Sequence, residues 1–212
     1  MKKILIALSI LFLLTGCNNI KNTEIEELVS IVRESKLKLS NQYRKGYKFY
    51  LPSDLQLKEI DGFNEIVTNG EYKYYMYVDL VSYYNNIKKE YKVNENCYIS
   101  KIITYNEVDG YLEVNEKNDK YLIEIMYNYA KIELIVDKDY LKEAVTNSMI
   151  VLSTIKYNND IIKNMMGEDI LQFNEEHLNI FETNGGESNF LEYVQEYDAY
   201  EGEVIPDTDL IN

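Results

Sequence analysis

After residue 23, apolar positions recur at helical spacing: Ile25, Leu28, Val29 and Val32 fall on one face. Thr23-x-x-Glu26 reads as a capping box opening this helix, and the pattern carries it to somewhere between Ser35 and Leu39. From Gly46 the period changes to two. Tyr47 to Leu51 reads as a strand that Pro52 ends. Alternation continues from Leu55 to Ile60, and Asp61-Gly62 turns the chain. Asn69-Gly70 is a hairpin signal between Ile66-Val67 and a tyrosine-rich run over 71–80. In that run Tyr72, Tyr74, Met76, Val78 and Leu80 share a face. Residues 81–91 follow neither period and read as a short helix or an excursion. Strands resume at 97–105 and 111–114, and 120–129 pairs with 131–136. Leu141, Ala144, Val145, Ser148, Met149 and Leu152 form a continuous apolar stripe, which predicts a helix over 139–155 capped by Asp137 or Asp139.

This order of helix, strand series and helix predicts an α+β fold, an antiparallel sheet flanked by an N-terminal and a C-terminal helix. The expected division is 1–16 signal, 17–22 tether, 23–158 a single domain, and 159–212 a C-terminal extension. The opening strand Phe49-Tyr50-Leu51-Pro52, the meander, the late hairpin and a helix ending Met149-Ile150-Val151-Leu152-Ser153 resemble the PsbP-like fold over about residues 45–157. That family includes photosystem extrinsic subunits, a Ran-binding nuclear import factor and small bacterial lipoproteins. The resemblance implies an accessory or binding role. It carries over no functional residue, and Leu55 stands where the family usually has a tryptophan shortly after the proline.

The first residues have a different logic. Lys2 and Lys3 precede an apolar run from Ile4 to Leu14, then Leu14-Thr15-Gly16-Cys17. Eleven helical residues rise about 16 Å, too short for a hydrocarbon core of about 30 Å, so the segment reads as an export signal. Its end resembles the lipobox of bacterial lipoproteins. That resemblance implies cleavage before Cys17, a diacylglyceryl thioether on its sulfur and a fatty-acylated (palmitate-type) N-terminus. Two long acyl chains hold a protein at a membrane stably where one is marginal. The expected location is the extracytoplasmic face of a bacterial membrane. Cys97, the chain's other cysteine, then has no intramolecular partner and reads as a small buried hydrophobe.

Charge sharpens the picture. The 212 residues hold 22 Lys+Arg against 36 Asp+Glu, a formal −14, which argues against nucleic acid as a partner. Residues 167–212 contain thirteen of the acids and no Lys or Arg, so nearly the whole excess belongs to that extension. Its apolar positions Phe173, Phe181, Phe190, Leu191, Val194 and Tyr197 make it a candidate partner-binding tail that folds on docking. The opposite sign gathers in Arg33, Lys36, Lys38, Arg44, Lys45 and Lys48, with Glu34 the single acid over 33–48. This collar is a candidate surface for anionic lipid head groups or for the acidic tail, with a solubilising surface as the plain alternative. The 21 tyrosines read mainly as sheet and core packing.

Candidate chemistry is sparse. The chain has no nucleotide-binding glycine loop, zinc-protease, serine-hydrolase, C-x-x-C or EF-hand motif. His177, the single histidine, sits beside Glu175 and Glu176 and reads as solvated. Asp207 and Asp209 with Glu201 and Glu203 lack the ordered loop of a calcium site. No cofactor or metal is expected. The resulting expectation is a membrane-anchored, non-enzymatic binding or accessory module whose partner is another envelope protein. The alternative is an envelope hydrolase or carbohydrate binder using a groove of carboxylates and tyrosines.

Overall fold

The computed structural model describes residues 20–35, 37 and 39–166. A 3-10 turn, Ile20–Asn22, leads into α1, Ile25–Glu34. The strands are β1 Gln42–Tyr43, β2 Tyr47–Phe49, β3 Gln56–Asp61, β4 Asn64–Thr68, β5 Lys73–Val78, β6 Ile99–Tyr105, β7 Val108–Lys117, β8 Lys120–Tyr127, β9 Ala130–Val136 and β10 Lys156–Tyr157. Between β5 and β6 lies α2, Leu80–Asn85. After β9 comes α3, Leu141–Ser153, and α4, Asn159–Met166, closes the described chain.

The fold is α+β with antiparallel sheets, as the periodicity implies. Seven strands form the larger sheet in the order β3-β4-β5-β9-β8-β7-β6, two meanders joined where β5 pairs with β9. A smaller sheet has the order β1-β2-β10. Helix α1 packs on α3, and α3 lies across β8 and β9. The stripes meet here: Ile25, Leu28, Val29 and Val32 of α1 are buried, as are all six predicted positions of α3. Fully burying a side chain such as Met149 or Leu152 contributes about 1.5–3 kcal/mol.

Both predicted helix caps are corrected. Helix α1 starts with Glu24 as its N-cap and makes no side-chain cap bond, so the Thr23-Glu26 box does not form. Asp137 makes no side-chain cap bond either. It accepts from the Tyr72 hydroxyl at 2.8 Å, and Tyr72 stacks on Tyr140. A cap does form at α2, where the Asp79 carboxylate accepts from Ser82 N–H at 2.8 Å.

Two glycines mark close approaches. A Cβ at Gly110 would lie 2.2 Å from the Met126 carbonyl oxygen, so β7 tolerates only glycine there. Gly46, at φ +99°, lets Ile162 of α4 and Leu80 of α2 close over the β1–β2 turn. Ile162 and Met165 are buried, so residues 159–166, assigned above to the extension, pack against the body.

Candidate functional site

The helices cover one face of the large sheet. The opposite face carries polar and aromatic side chains, and its composition follows from register. Residues directly opposite on antiparallel strands share a face. Ser100 of β6 pairs with Glu113 of β7, Glu113 with Glu124 of β8, Glu124 with Glu133 of β9, and Glu133 with Tyr75 of β5. Two residues along each strand, on the same face, Ile102, Tyr111, Met126, Lys131 and Tyr77 form a parallel row. Three glutamates therefore lie side by side on adjacent strands, with one lysine beside them.

Lys131 and Glu133 are buried, at 2% and 0% side-chain exposure, while Glu124 retains 22%. The Lys131 ammonium lies 2.7 Å from Glu133 Oε1 and 3.9 Å from Glu124 Oε2. Tyr111 donates its hydroxyl to Glu124 Oε1. Glu133 Oε2 is buried and has no hydrogen-bond donor. Burial pushes the Glu124 carboxyl up to about 7, with Lys131 opposing the rise and the neighbouring Glu133 adding to it. Tyr111 is pushed above its ordinary value, by burial first and then by the Glu124 charge.

A strap, residues 86–98, crosses this face. Tyr91 stacks on Tyr111 with ring centroids 4.2 Å apart and planes 5° from parallel. Its hydroxyl donates to Glu113 Oε2 at 2.5 Å and lies 2.6 Å from Ser100 Oγ. Lys88 adds an exposed pair with Asp109 at 2.8 Å. Beside Met126 lies a cleft of about 210 Å³, including its open mouth, lined by Asp79, Ser82, Ile87, Lys89, Met126 and Tyr129.

Cys97 is half-buried in the strap, just before β6 and not within the strand, and is unpaired. Burial, then the Glu113 charge and a bond to Glu113, push its thiol up to about 11. The thiolate is the reactive form. At pH 8 iodoacetamide should alkylate the native chain on the order of a hundredfold more slowly than an ordinary exposed thiol. Alkylation at the ordinary rate would contradict this environment.

The basic collar divides. Arg33 of α1 donates Nη1 to the Thr104 carbonyl at 3.3 Å and Nη2 to Glu34 at 3.1 Å, and lies over the Tyr105 ring. Arg44 turns inward, donating Nε and Nη2 to the two oxygens of buried Glu65 at 3.0 and 2.6 Å. Tyr47 donates to the same carboxylate at 2.6 Å. Lys45 and Lys48 are exposed on the β1–β2 hairpin. Cys17, Lys36, Lys38 and the tail positions Phe173, Phe181, Phe190, Leu191, Val194 and Tyr197 lie outside the described residues, as do His177 and the acids after residue 200.

Sequence reasoning did not single out Glu113, Glu124, Lys131 or Glu133. The tyrosines behave mainly as packing residues: Tyr47, Tyr72, Tyr74, Tyr75, Tyr77, Tyr111, Tyr121 and Tyr127 are all buried. Among the described residues no three His, Cys, Asp or Glu side chains converge to hold a metal ion. None of the described helices is long and apolar enough to cross a membrane.

The body is thus an α+β module with a carboxylate and tyrosine face, preceded by an export-type segment. Residues 1–18 match the family model for the prokaryotic membrane lipoprotein lipid attachment site. That match supports a membrane lipoprotein of bacterial type, anchored through a lipidated cysteine. A comparison with curated proteins returns no match.

Proposed function

We propose that the chain is an extracytoplasmic, lipid-anchored binding or accessory module that acts on another envelope protein at the membrane surface. The observation that carries this reading is the spacing between anchor and fold. The lipid-attachment match ends at residue 18 and regular structure begins at Ile20. Three residues reach at most about 10 Å, so the body works close to the head groups. Lys45 and Lys48 are exposed on the hairpin of the small sheet, and with Lys36 and Lys38 they are the cations this reading offers to lipid phosphates or to the acidic tail. The apolar residues of the tail, spaced among its acids, make it the segment that meets the partner.

A hydrolase draws less support. Glu124 and Glu133 stand directly opposite on adjacent strands and share the Lys131 ammonium, at 3.9 and 2.7 Å. Two-carboxylate glycosidases hold theirs about 5–5.5 or 6.5–9.5 Å apart, leaving room for sugar or water. Glu133 is also sealed from solvent. The Cys97 thiol is held in its unreactive form at neutral pH. The resemblance to the PsbP-like family is unsupported and carries no weight in this reading.

Crosslinking in membranes tests the proposal, with the full chain against a form ending after residue 166. The full chain should bring down a discrete envelope protein that the shortened form recovers at least tenfold less. Recovery of both forms alone, or of the same partner equally, would remove the tail from the binding role.

A further inference from the structure

We propose that Glu124 and Glu133 form a proton-sharing carboxyl pair, a built-in pH-sensitive element of the sheet face opposite the helices. The proposal does not depend on the identity of any partner. It starts from a deficit of donors. Glu124 and Glu133 stand directly opposite on β8 and β9, and a single ammonium serves both. Lys131 is committed to Glu133 Oε1 at 2.7 Å and only approaches Glu124 Oε2, at 3.9 Å. Tyr111 occupies Glu124 Oε1. One oxygen remains: Glu133 Oε2, on a fully buried side chain, with no donor. A buried carboxylate oxygen without a donor is costly. Glu124, directly opposite on β8 and reaching the same ammonium, is the side chain placed to supply one. A proton on Glu124 Oε2, donated to Glu133 Oε2, completes the centre with one negative and one positive charge.

The surroundings favour holding that proton. Glu113 of β7 stands opposite Glu124 and brings a further carboxylate. Tyr91 and Cys97 face Glu113 from the strap. Tyr75 and Tyr77 of β5 stand opposite Glu133 and Lys131, and Lys89 and Asp79 line the cleft beside Met126. In this polar cluster Lys131 is the cation within 4 Å of the pair. The elevation of Glu124 to about 7 agrees with the geometry. Two like carboxyl groups in contact do not both ionise easily.

The sign follows from linkage. The native chain retains a proton that the unfolded chain loses near the ordinary glutamate value of 4.5. Stability is therefore fully present below about pH 4.5, falls as pH rises toward 7, and levels off above it. Over that window the unfolding equilibrium constant should rise on the order of a hundredfold.

Two measurements on the mature lipidated chain in detergent micelles test this. With ¹³C-labelled glutamate, one side-chain carboxyl resonance should titrate with a midpoint near 7, and it should be missing in E124Q. Urea unfolding of the wild type should show the fall in stability between pH 5 and 8. In E124Q the amide donates permanently to Glu133 Oε2 while its carbonyl accepts from Tyr111, so its stability should be nearly flat and exceed that of wild type at pH 8. E133Q removes the negative charge beside Glu124 and should bring the Glu124 midpoint down. The proposal is overturned if every glutamate titrates in the ordinary range. It is equally overturned if E124Q keeps the wild-type pH slope or is less stable than wild type at pH 8. Should E124Q fail to fold, the wild-type titration decides alone.

Discussion

Glu65→Ala should destabilise the body by about 3–5 kcal/mol, the cost of removing one partner from a buried ion pair. Glu65 sits on β4 with its side chain fully buried, and Arg44, at 15% exposure, reaches it from the β1–β2 hairpin. The guanidinium matches the carboxylate with two parallel bonds, at 3.0 and 2.6 Å. Tyr47 of β2 adds a third at 2.6 Å. This carboxylate is thus where the small sheet meets the large one. Alanine leaves Arg44 Nε and Nη2 and the buried Tyr47 hydroxyl without their acceptor, while Arg44 Nη1 keeps the Tyr43 carbonyl at 3.0 Å, so a largely buried cation loses its counter-charge and a phenol its partner at once. Glu65→Gln keeps an acceptor for Tyr47 and should lose less. Urea unfolding reads the effect as a lower midpoint at unchanged slope, and thermal unfolding as a fall on the order of 10 °C. An E65A chain within about 1 kcal/mol of wild type would mean that the network does not hold the sheets together.

Arg44 also shows where sequence reading stops. Along the chain it is one of six cations around a hairpin, and a solvated collar is the natural reading. Its partner lies 21 positions away on another sheet, and no local pattern connects them. Local periodicity did reveal α1 and α3, because they bury stripes set by the 3.6 repeat, whereas the short α4 was not read. The Asn69-Gly70 hairpin was equally plain, since that dipeptide favours left-handed backbone.

The glutamate row lies between these cases. Three further hairpins turn on Asn106-Glu107, Asn118-Asp119 and Asn128-Tyr129, with positive φ at both residues of each. These are two-residue mirror-image turns with asparagine leading, unlike the four-residue loop at Asn69-Gly70, where Gly70 has the positive φ; without a glycine they are a weaker signal and passed unread. Once such a turn is placed, residues equidistant from it must pair. Glu113 and Glu124 each lie five positions from Asn118-Asp119, and Glu124 and Glu133 each lie four from Asn128-Tyr129. The row was therefore encoded in the spacing of asparagines. The burial of Glu133 was not, because it depends on β9 taking a central place between β5 and β8.

Cys17→Ser should move the chain from the membrane fraction almost completely. Lipid attachment requires the cysteine sulfur as nucleophile toward the diacylglyceryl donor, and a serine hydroxyl does not replace it. Each buried methylene contributes about 0.8 kcal/mol, so two long chains together bind effectively irreversibly, and their loss changes partitioning by many orders of magnitude. None of the described helices can cross a bilayer in their place. Lys45 and Lys48 on the hairpin would leave at most a weak, salt-sensitive attraction of about 1 kcal/mol per cation. The body needs no lipid to bury its core, so the variant should unfold like wild type.

The account is tested most directly by fractionating cells that express wild type or C17S, fed a radiolabelled fatty acid. Wild type should sediment with membranes, resist a high-salt wash and carry the label. C17S should be unlabelled and soluble after the same wash. A labelled or salt-resistant membrane-bound C17S, or an unlabelled wild type, would contradict it.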